Sequence, residues 1–199
     1  MRFQTAFGFD MRFPRILSAA AQRKLKAHLQ RGGLVAYPTE SCYGLGCLPE
    51  RPAALKRLIR LKKRPQYKGL IVIGDDTGRL LPLLETLPPE RQAELAAIWP
   101  APKTFLLRVR PSVSPLLRGK GRSKLAVRVP AHSGARRLCR MLDTPLVSTS
   151  CNRAGKRVCK TEREVRRQFG RQVWVVGGQI GKQKTPSQII DGDTGLRLR

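Results

Sequence analysis

Two hydrophobic rhythms take turns along this chain. Leu25 and Leu29 recur at helical spacing behind Ser18, whose hydroxyl suits an N-cap, and Gly32-Gly33 supply a stop. A helix to about Gln30 is predicted. The apolar run Leu34-Val35-Ala36-Tyr37 then reads as a short strand ended by Pro38. Leu55, Leu58, Ile59 and Lys62 return to helical spacing, with Pro52 tolerated in the first turn. Leu70 to Ile73 reads as a buried strand. Residues 90–98 read as a helix that stops ahead of Trp99-Pro100, because a proline disfavours helix in the residue before it.

Beyond that point strands dominate. Thr104 to Val109 and Leu125 to Val129 alternate, with the basic loop Arg118-Gly119-Lys120-Gly121-Arg122 between them. A helix near residues 133–142 leads into a strand from Pro145 to Ser148. Thr161 and Glu164 form a capping-box pattern for a helix ending near Gly170. Val173 to Val176 and Gln188 to Asp191 are the last predicted strands. No repeat or long linker interrupts the pattern. One mixed α/β domain over residues 18–199 is expected, behind a flexible N-terminal extension of residues 1–17 in which Met11 offers a second start.

Charge changes the picture more than size does. Forty Lys and Arg against thirteen Asp and Glu leave a formal net charge of +27 on 199 residues. So large an excess repels itself in a compact fold and favours polyanionic partners, nucleic acid first, although charge alone names no partner. Arg163, Arg166 and Arg167 share one helical face, and Arg153, Lys156, Arg157 and Lys160 precede them. The five cysteines are odd in number, no pair has CxxC spacing, and only two histidines exist, so neither a zinc site nor a disulfide framework is expected. Small apolar thiols in a reducing cytoplasm fit better. No apolar run is long enough to span a membrane.

Four stretches carry more chemistry than a scaffold needs. Tyr37-Pro38-Thr39-Glu40-Ser41-Cys42-Tyr43-Gly44-Leu45-Gly46 reads as a strand running into a turn rich in hydroxyls and glycine, where a backbone can approach a ligand. Lys62-Lys63-Arg64 ends a helix, suiting either the terminal carbonyls or phosphate oxygens. Ser148-Thr149-Ser150-Cys151-Asn152 crowds hydroxyls and an amide at a strand end, as a capped loop or a ligand site. Thr185-Pro186-Ser187 says little by itself. Neither a Walker A loop, a Rossmann fingerprint nor a Ser–His–Asp triad is present. These readings support an anion-binding α/β domain.

In order, the segments YPTESCYGLGC (37–47), LKKRPQYKGLIVI (61–73), WPAPKTFLL (99–107), LAVRVPAHS (125–133), PLVSTSCNRAG (145–155) and PSQIID (186–191) closely resemble the YrdC family, in its short bacterial form. The resemblance covers the chain from about residue 18 onward. It implies a twisted mixed sheet with flanking helices around a large basic cavity, a YrdC-like or DHBP synthase-like fold. It also implies synthesis of L-threonylcarbamoyl-AMP from L-threonine, bicarbonate and ATP, with release of pyrophosphate. Downstream partner proteins would then transfer the threonylcarbamoyl group to tRNA beside the anticodon, in the cytoplasm.

Carried over by motif, Lys62, Arg64, Ser150 and Asn152 match the family's catalytic tetrad around the nucleotide phosphates. Thr39, Thr104 and Ser187 match its threonine-binding positions, while Pro100, Ser148 and Arg199 complete the ATP contacts, with Arg197 close enough to be confused with Arg199. Mg²⁺ is expected to arrive with ATP, and no protein metal site is expected. Two departures stand out: Ala101 replaces a usual glycine, and Cys151 replaces a usual alanine and is expected to crowd the nucleotide pocket. The alternative function is a non-catalytic RNA-binding protein acting in rRNA or tRNA maturation. It rests on the basic surface, but an aromatic content of 6% provides few stacking platforms for bases.

Overall fold

The computed structural model describes residues 17–65 and 67–199, so the extension predicted for residues 1–17 lies almost wholly outside the described residues. The elements are α1 (Ala19–Gln30), β1 (Val35–Pro38), β2 (Tyr43–Gly46), α2 (Pro52–Lys62), β3 (Ile71–Ile73), α3 (Pro89–Ile98), β4 (Lys103–Arg108), α4 (Pro115–Arg118), β5 (Lys124–Arg128), α5 (Ser133–Leu142), β6 (Leu146–Ser150), α6 (Glu162–Phe169), β7 (Trp174–Val175) and β8 (Gln188–Asp191). The predicted caps form. Ser18 Oγ accepts from the Ala21 amide at 3.3 Å. Thr161 and Glu164 close a complete capping box on α6, a device of about 1 kcal/mol.

One element departs from expectation. Residues 43–46, read as a glycine-rich turn, form the interior strand β2, third from the β7 edge. The glycines are there because neighbours leave no room for side chains: a Cβ on Gly46 would collide with the Val147 carbonyl, and one on Gly44 would lie 3.1 Å from Ser148 Oγ. Glycine in a strand here marks close approach, not a bend.

The described strands make one mixed sheet in the order β7-β1-β2-β6-β3-β5-β4-β8. β1 with β7, β3 with β5 and β4 with β8 pair parallel; the other neighbours are antiparallel. Alternation along each strand divides the core in two. Leu34, Ala36, Leu45, Val72, Phe105, Leu107, Leu125, Val127 and Val147 meet α2, α3, α4 and α6 on one face. Val35, Tyr37, Ile73 and Leu146 meet α1 and α5 on the other, where Leu25, Leu29, Leu138 and Leu142 are fully or nearly buried. Those two helices lie over only the half of that face built from β7, β1, β2, β6 and β3. Among the described residues no helix packs on the half built from β5, β4 and β8. No helix among the described residues is long and apolar enough to cross a membrane.

Candidate active site

The uncovered half of the sheet is where polar side chains collect. On β5, Leu125 and Val127 point into the core, so Lys124, Ala126 and Arg128 point to the bare face. Ile71, Leu106, Ala126 and Ile189 floor a cleft of about 490 Å³, within the usual range for small-molecule sites. Its walls include Arg64, Lys68, Arg118, Arg122, Lys124 and Arg199. Of the ten predicted site residues, Arg64 and Arg199 line this cleft. The others gather in groups beside it, apart from Pro100, which is exposed and outside the lining.

Lys62, Ser150 and Asn152 form the first group. α2 ends at Lys62, and the side chain crosses to the end of β6. Its Nζ donates to Ser150 O at 2.5 Å, Asn152 O at 3.0 Å and Asn152 Oδ1 at 3.1 Å. Ser150 Oγ donates to the same Oδ1 at 2.9 Å, and Asn152 Nδ2 donates to the carbonyls of Arg153 and Lys156. All three ammonium protons are thereby engaged, so Lys62 acts as a strut as well as a charge. Burial, then the nearby Arg64, pull its pKa down to about 8. Helix-end capping is therefore not its role.

Arg64 follows the turn that ends α2. It donates from Nε to Lys68 O at 3.1 Å and from Nη2 to Gly69 O at 2.6 Å. Burial and then Arg199 lower its pKa. Burial and then Arg128 lower that of Arg199. Lys62, Arg64, Arg199 and Arg128 thus form a row in which each cation feels the next. Such a row is costly without an anion and well suited to one. Arg199 also donates to Ser187 O at 3.1 Å, whereas the exposed Arg197 donates from Nε to Arg199 O at 3.1 Å.

The second group is Thr104 and Ser187, both buried, whose hydroxyls lie 3.0 Å apart. Thr39 and Ser148, also buried, flank Gly44, whose absent Cβ would lie 3.1 Å from each. Thr39 Oγ1 donates to Cys42 O at 2.7 Å.

Sequence reasoning missed Arg128 and Glu40. Both are over 90% buried, with Arg128 Nη2 3.4 Å from Glu40 Oε2, and Glu40 Oε1 accepts from the Ala131 amide at 2.9 Å. Arg128 Nε is a buried donor with no partner among the described residues. One residue past the paired register, Arg128 falls across from Thr104 on the same face. The available signal was a charge flanked by Val127 and Val129 in an otherwise apolar strand. Neither departure lines the cleft: Cys151, just past β6, is fully buried in the same core as Val147, contrary to expectation, and Ala101 packs against that core.

The family model Sua5/YciO/YrdC, described as telomere recombination, matches residues 27–198. The chain belongs to this family. A threonylcarbamoyl-AMP synthase of Neisseria meningitidis is 69% identical over 189 residues, covering 95% of this chain and 100% of the relative. One from Chromobacterium violaceum is 47% identical over 186 residues, covering 94% of this chain and 96% of the relative. Among solved structures, P. abyssi Sua5 complexed with L-threonine superposes with a TM-score of 0.78 at 29% identity. That match covers 88% of this chain and 52% of the Sua5 chain, so this chain spans about half its length. E. coli YciO, at 24% identity and a TM-score of 0.75, shares the fold over 94% of this chain and 91% of its own.

Proposed function

We infer that the protein is a nucleotidyltransferase that joins L-threonine, bicarbonate and ATP into L-threonylcarbamoyl-AMP and releases pyrophosphate. The observation that carries this reading is 69% identity to a threonylcarbamoyl-AMP synthase along that relative's whole length. The row of cations beside paired buried hydroxyls supports it, since a nucleotide and an amino acid need those two environments side by side.

Threonine's amine first captures carbon dioxide derived from bicarbonate. A carbamate oxygen then attacks the α-phosphorus of ATP in line. The bond from that phosphorus to the bridging oxygen breaks, and pyrophosphate leaves with the electron pair. Little covalent work falls to the protein, so positioning and charge stabilisation dominate. Lys62 and Arg64 neutralise charge growing on the phosphates. Ser150 Oγ is exposed enough to turn from Asn152 to an α-phosphate oxygen. Thr39, Thr104 and Ser187 hold threonine, and the unpartnered Nε of Arg128 suits its carboxylate. Pro100, Ser148 and Arg199 complete the nucleotide's surroundings. Preorganised donors of this kind are typically worth about 3–4 kcal/mol each.

Among the described residues no three His, Cys, Asp or Glu side chains cluster as metal ligands. Mg²⁺ would come with ATP, held by phosphate and water, and no step depends on a protein-bound metal. The product serves tRNA threonylcarbamoylation in the cytoplasm, through downstream transfer proteins. tRNA contact would fall to the exposed Lys156, Arg157, Lys160, Arg163 and Arg167. Arg166 pairs with Glu162 at 2.7 Å, and Arg153 stacks 5.5 Å over the Phe169 ring, so both are partly committed within the fold.

The test is a pyrophosphate-release assay on the purified protein. Release should require L-threonine and bicarbonate together; equal release without threonine rejects the reading.

A further inference from the structure

The basic loop 118–122 has no part in the reaction as described so far, yet it is built into the cleft. A Cβ on Gly119, whose φ is +91°, would lie 2.7 Å from Tyr67 O, and one on Gly69 would lie 2.7 Å from Arg118 O. The Leu70 amide also donates to Leu117 O at 2.7 Å. Two glycines thus let the turn after α2 and the loop after α4 dock backbone to backbone. Arg64, which grips the carbonyls of Lys68 and Gly69, is held on the same platform. Arg118 in turn donates to Arg122 O, tying the loop to itself.

The platform gathers Arg64, Lys68, Arg118 and Arg122 on one wall. Of the six cations lining the cleft, Lys124 alone pairs with carboxylates among the described residues, Asp191 at 2.7 Å and Asp193 at 2.9 Å. Placing the other cations together without counter-charge favours a compact polyanion over a nucleobase. Position adds a second argument. Arg128 and Lys124 lie four residues apart on β5, about 13 Å along the strand. The paired hydroxyls of Thr104 and Ser187 stand at the Arg128 end. The loop stands at the Lys124 end, with Ser150 nearby, since Ser148 pairs with Ile71 on the adjoining strand. In-line displacement needs nucleophile and leaving group on opposite sides of the α-phosphorus.

We propose that loop 118–122, docked on residues 67–69 through Gly69 and Gly119, is the subsite for the β- and γ-phosphates of ATP and holds pyrophosphate as it leaves. The proposal rests on the synthase reading, with threonine at the Arg128 end. As the bond to the α-phosphorus breaks, the electron pair stays on the departing bridging oxygen, and Lys68, Arg118 and Arg122 meet the charge that builds there.

The test uses the full chain carrying Lys68→Gln with Arg122→Gln; both native side chains are exposed. Calorimetric titration should show ATP and inorganic pyrophosphate each binding about tenfold more weakly, the loss expected for charge-assisted phosphate contacts. AMP, which lacks the outer phosphates, should bind within about twofold of the unsubstituted protein. A second double variant, Lys68→Arg with Arg122→Lys, keeps the charges and should recover most of the loss. An equal loss for AMP, unchanged ATP and pyrophosphate affinity, or no recovery in the charge-conserving pair would each overturn the proposal. The synthase reading is tested separately by pyrophosphate release from the unsubstituted protein. If that activity is present and the glutamine pair binds ATP normally, the loop assignment alone falls.

Discussion

The two halves of one sheet face behave as different materials. Under α1 and α5 the strands offer Val35, Tyr37, Ile73 and Leu146, and each helix answers with a pair of leucines four residues apart, Leu25 with Leu29 and Leu138 with Leu142. Beyond β3 no helix of the described residues arrives, and the same face carries Ala126, Arg128, Thr104 and Lys124. Covered sheet is apolar because burial of each Leu contributes about 1.5–3 kcal/mol. Uncovered sheet can retain charge because water or a ligand can reach it. A topology that leaves one flank bare therefore fixes where chemistry can sit before any catalytic residue is chosen.

Substitutions on either side should separate the two halves. Lys62→Ala should lower the rate of pyrophosphate release by about two to three decades, equivalent to about 3–4 kcal/mol of transition-state stabilisation. A steady-state assay at saturating substrates measures it, and a loss under tenfold would remove Lys62 from the machinery. Leu29→Ala, on the covered side, should instead cost about 2–5 kcal/mol of stability in urea unfolding. Its turnover number should stay within about twofold, because α1 does not reach the cleft. A large kinetic effect there would erase the distinction between the halves.

The smallest effect is a pH dependence. With the Lys62 pKa lowered to about 8 by burial and then Arg64, kcat/KM for ATP should fall above that pH with a limiting slope of one decade per unit. Lys62→Arg should abolish that limb. Stability moves the other way. Between about pH 8 and the ordinary lysine range the unfolded chain binds the proton that the folded chain has released. This group's contribution to stability therefore rises with pH across that window. A unfolding midpoint that this residue drives downward over the same range would contradict the burial argument.

Periodicity made most helices and strands legible, because Leu25 with Leu29 or Thr161 with Glu164 act within one turn. β2 was not legible: Gly44 and Gly46 signal a turn locally, and the reason they form a strand is the Val147 carbonyl and Ser148 hydroxyl a hundred residues away. The six family-like segments named most of the candidate site, but not how its donors are spent. That Lys62 gives all three protons to the 150–152 turn depends on where α2 ends relative to β6. Arg128 escaped notice because alternation explains a polar residue in a strand without asking whether its outward face is wet. The pairing with Glu40 joins residues from distant segments.

Sulfur placement has a practical consequence. Cys47, Cys139, Cys151 and Cys159 are free and have no solvent-exposed surface, while Cys42 is partly open. Burial raises the pKa of each of the four, so an alkylating reagent meets neither an accessible nor an ionised sulfur. Modification at those four positions must await opening of the surrounding layers. The chain thus carries its own reporters of opening on both sides of the sheet, Cys139 beneath α5 and the other three against the opposite layer.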